Sequence, residues 1–359
     1  MVEFFATVGD GLEDFAEAYL LSLQAEVTHK RRGKLVFRLA QPPREPKFLE
    51  RLFAALFWSC EPPGDEAALA DQLSRALTDR LGQSLKLWWA WQEDNKEEEE
   101  EAPPTKRPRS LLTYRLDVKR RGTARHRFLH LSQALADCLK HSEEVRASEA
   151  SEEPDFLLGL QLSDSGVFFG IPLSREPVSK RAYLLHSRLR GPICDLLIQL
   201  LAPRAGELIL DPFLGSGALL AEAKAQIPQA ICLGLELEAG MLGEAAANDA
   251  QMRAVLGRGL ELIGQADARH LPLRDGSVDA VLTDFPFGQR YSVRTGLDKL
   301  YAAAFSEIRR VLRSGGRAAV LIKGGGSDAV PGFRLLPPSP LPLRLAKTQA
   351  LLLLLEKSC

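Results

Sequence analysis

Fold class follows most directly from residues 208–217, which read Leu208-Ile209-Leu210-Asp211-Pro212-Phe213-Leu214-Gly215-Ser216-Gly217. The apolar start predicts a short buried strand, and the residues after Gly217 predict a helix. Glycines at a strand-to-helix turn let a ligand approach the backbone, and the helix N-terminus offers free amides. The turn is neither a P-loop nor a complete dinucleotide fingerprint, and an ordinary tight turn is the alternative explanation.

Further short apolar segments follow this turn and alternate with helical segments. The predicted strands are 231–236, 260–264, 279–283 and 317–322. This alternation predicts an α/β fold with a doubly wound, mostly parallel sheet.

Acidic residues stand at the ends of these predicted strands. Glu236 ends the second strand, where a carboxylate can accept hydrogen bonds from both hydroxyls of a ribose. Asp267 follows the third strand and could meet an adenine amino group, although Asp275 and Asp279 lie nearby in the chain. A surface glutamate with no ligand is the alternative for Glu236.

The fourth strand runs into Asp284-Phe285-Pro286-Phe287-Gly288. Because strand ends form the ligand crevice of an open parallel sheet, an acid, a rigid proline and an aromatic ring should lie beside the turn at 211–217. The alternative is an ordinary Pro-Gly turn with a packed phenylalanine.

The N-terminal half has a different pattern. We predict strands at 4–8, 34–39, 85–91 and 114–118, helices at 12–23, 48–57 and 65–80 and from Ser132, and a hairpin of 156–162 with 167–171. An acidic run at 97–101 followed by prolines predicts a solvated linker over 92–110. The N-terminal half is therefore predicted to have an α+β fold.

A basic segment follows the acidic run. Residues 105–130 contain nine basic residues and one acid, Asp117, a local charge of +8 in a chain of net charge −1. Such a patch is typical of binding to a phosphate backbone, with strong salt dependence. The alternative is a solvated basic face that balances the acidic run. The candidate RNA contacts are Arg115, Lys119, Arg120, Arg121, Arg125 and Arg127.

Composition limits the remaining possibilities. With 359 residues, 45% of them hydrophobic, the chain has material for two or more domains. The net charge of −1 excludes polyanion binding through bulk charge alone. Five cysteines without a CxxC pair and six histidines without ligand spacing predict reduced thiols and no metal site. No secretory or membrane-spanning pattern is apparent, so we expect an intracellular protein with no membrane partner.

The strand-end residues carry a family resemblance. The 211–217 turn, Glu236 and the 284–287 motif resemble the cofactor loop, ribose acid and catalytic motif of class I (Rossmann-like) S-adenosylmethionine-dependent methyltransferases acting on exocyclic amines. The family motif is Asp/Asn/Ser, Pro, Pro, aromatic, and Phe285 replaces the first proline, as in a branch that modifies guanosine in RNA. The resemblance implies S-adenosylmethionine as cofactor. It implies catalytic roles for Asp284, Pro286 and Phe287, and cofactor contacts from Asp211, Pro212, Gly215, Gly217, Glu236 and Asp267.

The N-terminal half also carries a resemblance. Residues 114–122 and 156–172 resemble a THUMP domain, an RNA-binding α+β fold, and residues 4–13 resemble the ferredoxin-like unit that precedes it. The whole chain resembles the THUMP domain-containing guanosine-N2 methyltransferases of RNA. The expected division is a ferredoxin-like part at 1–91, a linker at 92–110, a THUMP part at 111–175 and a methyltransferase domain at 176–359.

That resemblance implies methyl transfer to the N2 amine of a guanosine in structured RNA, either a spliceosomal small nuclear RNA or a tRNA. It also implies a small zinc-binding activator subunit as partner. The basic Lys106-Arg107-Pro108-Arg109 favours a nuclear over a cytoplasmic location. The competing hypotheses are a catalytically inactive THUMP-type RNA-binding adaptor and a protein glutamine or DNA adenine N-methyltransferase.

Overall fold

The computed structural model describes residues 1–44, 46–95, 111–122, 124, 128, 130–287, 294–324, 330–345 and 348–358. The chain forms two compact units. The first unit comprises Met1–Val8 and Ala16–Val178, and the second comprises Gly9–Phe15 and Ser179–Cys359. The predicted RNA contacts Arg125 and Arg127, and residues 96–110 of the predicted linker, lie outside the described residues.

The N-terminal half contributes one eight-stranded sheet in its described part, with strand order β2-β3-β1-β4-β8-β7-β5-β6. Antiparallel pairing of β4 with β8 joins the strands of the predicted ferredoxin-like part to those of the predicted THUMP part. The elements are β1 (Val2–Val8), α1 (Glu13–Ser22), β2 (Glu26–Arg31), β3 (Lys34–Leu39), β4 (Leu49–Ser59), α2 (Glu66–Asp94), β5 (Leu112–Arg120), α3 (Leu131–Leu139), β6 (Val145–Ala147), β7 (Phe156–Ser163) and β8 (Gly166–Pro172).

The helix predicted at 48–57 is wrong, because this segment forms strand β4. Its apolar residues recur at helical spacing, but residues 52–56 are all at most 5% exposed, so both faces of the strand are covered. The strand pairs with β1 on one side and β8 on the other. A central strand buried on both faces loses the alternation that distinguishes a strand from a helix.

The strand predicted at 85–91 is also wrong, because α2 continues as one helix to Asp94. Asp65 caps its N-terminus by accepting a hydrogen bond from the Ala68 amide at 3.1 Å. The buried stripe, with three- and four-residue spacing, contains Leu69, Leu73, Leu77, Leu81, Leu85, Trp88 and Trp91. The aromatic residues that suggest a strand in the sequence extend this stripe.

The second unit contains the predicted α/β sheet, with strand order β11-β10-β9-β12-β13-β16-β14 and β15 paired to β16. The elements are α4 (Gly191–Leu201), β9 (Leu208–Asp211), α5 (Ala218–Gln226), β10 (Ile231–Glu236), α6 (Ala239–Leu256), β11 (Leu262–Gln265), β12 (Val278–Asp284), α7 (Arg294–Val311), β13 (Leu312–Lys323), β14 (Phe333–Leu335), β15 (Leu341–Leu345) and β16 (Thr348–Lys357).

The sheet is mostly parallel, as predicted. Strands β9 to β13 pair in parallel, and β16 is antiparallel to β13. From β9 the chain proceeds outward through β10 and β11 and then returns to place β12 on the other side of β9. This reversal of strand order puts a ligand crevice at the carboxyl ends of β9 and β12.

Candidate active site

A cavity of about 1060 Å³ lies at the carboxyl ends of β9, β10 and β12. Eight of the nine predicted cofactor and catalytic residues line it, namely Asp211, Pro212, Gly215, Glu236, Asp267, Asp284, Pro286 and Phe287. Gly217 is not among the lining residues. It is the N-cap of α5, with a left-handed φ of 76° that favours glycine.

Residues 211–217 form a turn, here called the glycine turn, which is open at Gly215 and closed by a hydrogen bond at Gly217. Gly215 has a φ of 56°, and a Cβ built on it would come no nearer than 3.7 Å to the Met241 side chain. The Gly217 amide closes the turn by donating to the Leu214 carbonyl at 2.8 Å. The backbone at Gly215 is therefore open to a ligand in the cavity.

Asp211 anchors the start of this turn. Its Oδ1 accepts hydrogen bonds from the Thr283 hydroxyl at 2.6 Å and from the Phe213 amide at 3.0 Å. Burial, followed by the negative charges of Asp284 and Glu236, raises the pKa of Asp211 to about 7. The Thr283 bond ties the glycine turn to the strand that carries Asp284.

Glu236 reaches the same turn from the end of β10. Its Oε2 accepts from the Gly215 amide at 2.8 Å, and its Oε1 accepts from the amides of Leu237 at 2.8 Å and Glu238 at 3.0 Å. A carboxylate has about four lone-pair sites, so one site is left for a further donor.

Asp267 lines the cavity but is engaged by a neighbour. Arg269 pairs with its carboxylate through both Nε and Nη2, the latter at 2.6 Å from Oδ2. The hydrogen bond from Arg269 lowers the pKa of Asp267. The two acids close to it in the chain, Asp275 and Asp279, pair with Arg310 and Arg313 and do not line the cavity.

Asp284 ends β12 inside the cavity. Its Oδ1 is buried and has no hydrogen-bond partner within the described part of the chain. Burial raises the pKa of Asp284 to about 7. A buried carboxylate oxygen without a donor is costly. The residue itself is only partly buried and lines the cavity, so its carboxylate group lies at the cavity wall.

The residue that departs from the family motif, Phe285, is part of the apolar core. It is 1% exposed, and its ring centroid lies 4.7 Å from that of Phe213 and 5.0 Å from that of Phe305. Its amide donates to the Leu321 carbonyl at 2.9 Å. The next aromatic residue, Phe287, is half-buried and lines the cavity.

Two buried polar residues near the site are missed by the sequence patterns. Thr283 is fully buried and holds Asp211. Asn248 of α6 donates from Nδ2 to the Ser216 carbonyl at 2.8 Å and thereby supports the glycine turn. The only sequence signal for Asn248 is an amide inside an alanine-rich helix, and the signal for Thr283 is its place directly before Asp284.

The predicted RNA contacts in the first unit differ in their availability. Arg115 donates to the carbonyls of Glu149 and Glu152, and Arg120 donates to the carbonyl of Phe128. Lys119 pairs with Asp117 at 3.0 Å. Arg121 is exposed and makes no side-chain hydrogen bond or ion pair to any described residue. It is therefore the most available of the described candidate RNA contacts.

Two further cations, Arg31 and Lys34, join Arg121 and are not signalled by the sequence. Lys34 Nζ donates to Gln161 and lies 4.3 Å from the ring centroid of Phe168. Burial, followed by the positive charges of Arg121 and Arg31, lowers the pKa of Lys34 to about 7. Residues far apart in the chain thus form one basic cluster on the first sheet.

Neither a membrane-spanning helix nor a metal cluster occurs in the described parts of the chain. Across the described ranges, no helix is both long and apolar enough to cross a membrane. Within those same ranges no three His, Cys, Asp or Glu side chains are grouped to hold a metal ion.

A doubly wound sheet with a cavity at its switch point, lined by a glycine turn and strand-end carboxylates, defines an α/β domain of the class I methyltransferase type. Residues 179–325 match the family model described as RMKL-like, methyltransferase domain. The chain therefore contains a methyltransferase domain.

Two known methyltransferases are similar to this chain in sequence. The U6 snRNA (guanine-N(2))-methyltransferase THUMPD2 of Mus musculus is 33% identical over 170 residues, 47% of this chain and 31% of that protein. The tRNA (guanine(6)-N2)-methyltransferase of Thermus thermophilus is 28% identical over 214 residues, 58% of this chain and 62% of that protein. The match spans about a third of the mouse protein.

Among solved structures, TrmN from Thermus thermophilus superposes with a TM-score of 0.74. The superposition covers 99% of this chain and all of that one, at 22% identity. At this identity the likeness concerns the fold, and it includes the N-terminal half as well as the methyltransferase domain.

Proposed function

We propose that the chain transfers a methyl group from S-adenosylmethionine to the exocyclic N2 amine of a guanosine in structured RNA. The observation that carries the proposal is Asp284, which lines the cavity beside the glycine turn and whose buried Oδ1 has no hydrogen-bond partner among the described residues. The names of the mouse and Thermus thermophilus relatives, both guanine-N2 methyltransferases, support the same base and atom.

The cavity fits the proposed cofactor. A left-handed Gly215 open to the cavity allows close approach of a nucleoside, and Glu236 retains an acceptor site for a ribose hydroxyl. Asp267 would act on the adenine side while paired with Arg269. The cofactor supplies an electrophilic methyl group on a sulfonium sulfur. The residues of this chain orient it and the target amine.

The target amine must be activated before it can attack the methyl group, and Asp284 is placed to activate it. The lone pair of the guanine amine is delocalised into the ring, so the nitrogen is a poor nucleophile until an acceptor polarises its N–H bonds. The Asp284 carboxylate would accept one hydrogen, with the Phe285 carbonyl as second acceptor, and the carboxylate would take the proton that the methylated nitrogen releases. Phe287 would stack on the extruded base, and alignment supplies much of the rate.

The first unit would bind the RNA. Arg121, Lys34 and Arg31 form a basic cluster, and Lys119 is exposed on β5, two residues before Arg121. Cations of this kind contact phosphates without reading sequence. A small nuclear RNA and a tRNA are both named among the relatives' substrates, and the location, nuclear or cytoplasmic, would follow the substrate.

The activator subunit implied by the family resemblance would need an accessible edge on the second unit. Strand β11 pairs with β10 alone among the described strands. Leu262 on β11 is 56% exposed, and Ile231 at the start of β10 is 44% exposed. An edge strand with exposed apolar residues is suited to a protein partner.

Methyl transfer from labelled S-adenosylmethionine to total cellular RNA tests the function, with and without the activator subunit. Nucleoside analysis should find the label in N2-methylguanosine, and size fractionation should identify the RNA class. Asp284→Asn serves as the inactive control. RNA binding without label under either condition would indicate a catalytically inactive RNA-binding adaptor. Label in protein or in DNA would indicate a protein glutamine or a DNA adenine N-methyltransferase.

A further inference from the structure

Tyr301 connects residues 285–287, which follow β12, to the neighbouring strand β13. It lies on α7, and its hydroxyl donates a hydrogen bond to the Pro286 carbonyl at 2.9 Å. The backbone of Lys323, at the end of β13, hydrogen-bonds to the same hydroxyl. One hydroxyl group therefore bridges the loop after β12 and the end of β13.

The ring of Tyr301 supports the same loop. Its centroid lies 5.1 Å from that of Phe285, in an edge-to-face arrangement. Burial raises the pKa of Tyr301 to about 12. The hydroxyl therefore keeps its proton and can donate to Pro286 throughout the neutral range.

The Tyr301 hydrogen bond restrains a torsion that the neighbouring contacts leave free. The Phe285 amide is fixed by the Leu321 carbonyl, and the ring of Pro286 fixes its own φ. The orientation of the Pro286 carbonyl, which its ψ sets, is not fixed by either of these restraints. Tyr301 binds that carbonyl.

We propose that Tyr301 is a positioning residue. Through its hydrogen bond to the Pro286 carbonyl, it holds the Asp284 carboxylate and the Phe287 ring in the relative orientation that the target base requires. The inference rests on the proposed function. Reacting groups must be aligned closely, and a displacement of about 1 Å can cost about 100-fold in rate.

Two substitutions separate the hydroxyl from the ring. Tyr301→Phe retains the contact with Phe285 and removes the hydroxyl, whereas Tyr301→Leu removes both. We expect Tyr301→Phe to lower kcat by about 10- to 100-fold, with the cofactor Kd within about twofold of wild type. Tyr183→Phe is the matched control, because Tyr183 is a partly buried tyrosine of the same unit that interacts with Glu222 and does not line the cavity.

A kcat within about twofold of wild type for Tyr301→Phe would overturn the proposal, as would an equal loss in Tyr183→Phe at equal thermal stability. A second readout does not depend on activity. With 4-fluorophenylalanine at position 287, the fluorine resonance should shift or broaden in Tyr301→Phe and stay unchanged in Tyr183→Phe. If the wild-type protein methylates no RNA, the proposed function fails, and the fluorine spectrum alone decides whether Tyr301 positions Phe287.

Discussion

Replacing Asp284 with asparagine should abolish turnover and at the same time stabilise the folded protein above neutral pH. The side chain keeps its size, but it loses the negative charge that burial penalises. Burial raises the pKa of Asp284 from its ordinary 3.8 to about 7. Between these values the folded state holds a proton that the unfolded state has released. The free energy of unfolding therefore falls as pH rises through this interval and is constant above it.

The size of the effect follows from the pKa. A rise from 3.8 to about 7 corresponds to a loss of up to about 4 kcal/mol at pH 8, at about 1.4 kcal/mol per tenfold change in proton affinity. Asparagine avoids this loss but buries an amide with no acceptor in place, at a cost of about 1–3 kcal/mol. The net gain at pH 8 should be about 1–3 kcal/mol, or roughly 2–10 °C in Tm for a unit of this size.

Thermal unfolding of both proteins between pH 5 and pH 8 measures the effect, beside methyl transfer under the same conditions. The difference in Tm should grow with pH up to about neutrality. Asp275→Asn is the control, because this aspartate is 80% exposed and pairs with Arg310 on the surface. It should change stability by less than about 0.5 kcal/mol. An Asp284→Asn protein that is less stable than wild type at pH 8, or that still methylates RNA, would refute the reasoning.

Three further predictions concern the proposed cofactor and RNA sites. Glu236→Gln should raise the cofactor Kd, measured by calorimetry, by about 10- to 100-fold, because it replaces a charged acceptor, while RNA affinity stays constant. An unchanged cofactor affinity would contradict the proposal that Glu236 binds the ribose. RNA affinity should fall as pH rises from 6 to 8, because Lys34, whose pKa is about 7, loses its charge. Lys34→Arg should remove that dependence, and a pH response that persists in the variant would assign it elsewhere. Arg121→Ala should reduce the slope of log affinity against log salt by about 1, and an unchanged slope would remove Arg121 from the phosphate contacts.

The candidate site can be predicted largely because parallel strands place their carboxyl ends at one edge. Local pattern alone assigns Asp211, Glu236 and Asp284 to strand ends, and sheet order then brings them to one cavity. The assignment of these residues to strand ends needs no tertiary information. The roles assigned to these residues stay predictions, because geometry alone does not test them.

Tertiary contacts decide what local pattern cannot. Strand β4 has the apolar spacing of a helix, and only its two neighbours in the sheet make it a strand. Arg31 and Lys34 precede the linker and Arg121 follows it, so their proximity depends on strand order in the first sheet. Arg269 stands two residues from Asp267 in the sequence, but its bidentate geometry cannot be read from that spacing.

Phe285 shows how a departure from a family motif can be compensated locally. A proline at this position would restrict φ and would have no amide hydrogen to donate. Phe285 instead donates to Leu321 and extends the pairing of β12 with β13 by one residue. Its ring fills a pocket formed by Phe213, Phe305 and Tyr301. Packing and hydrogen bonds thus restrain the same backbone that a second proline would stiffen. Phe285 and Tyr301 should therefore be replaceable together at less cost than the sum of the two single changes.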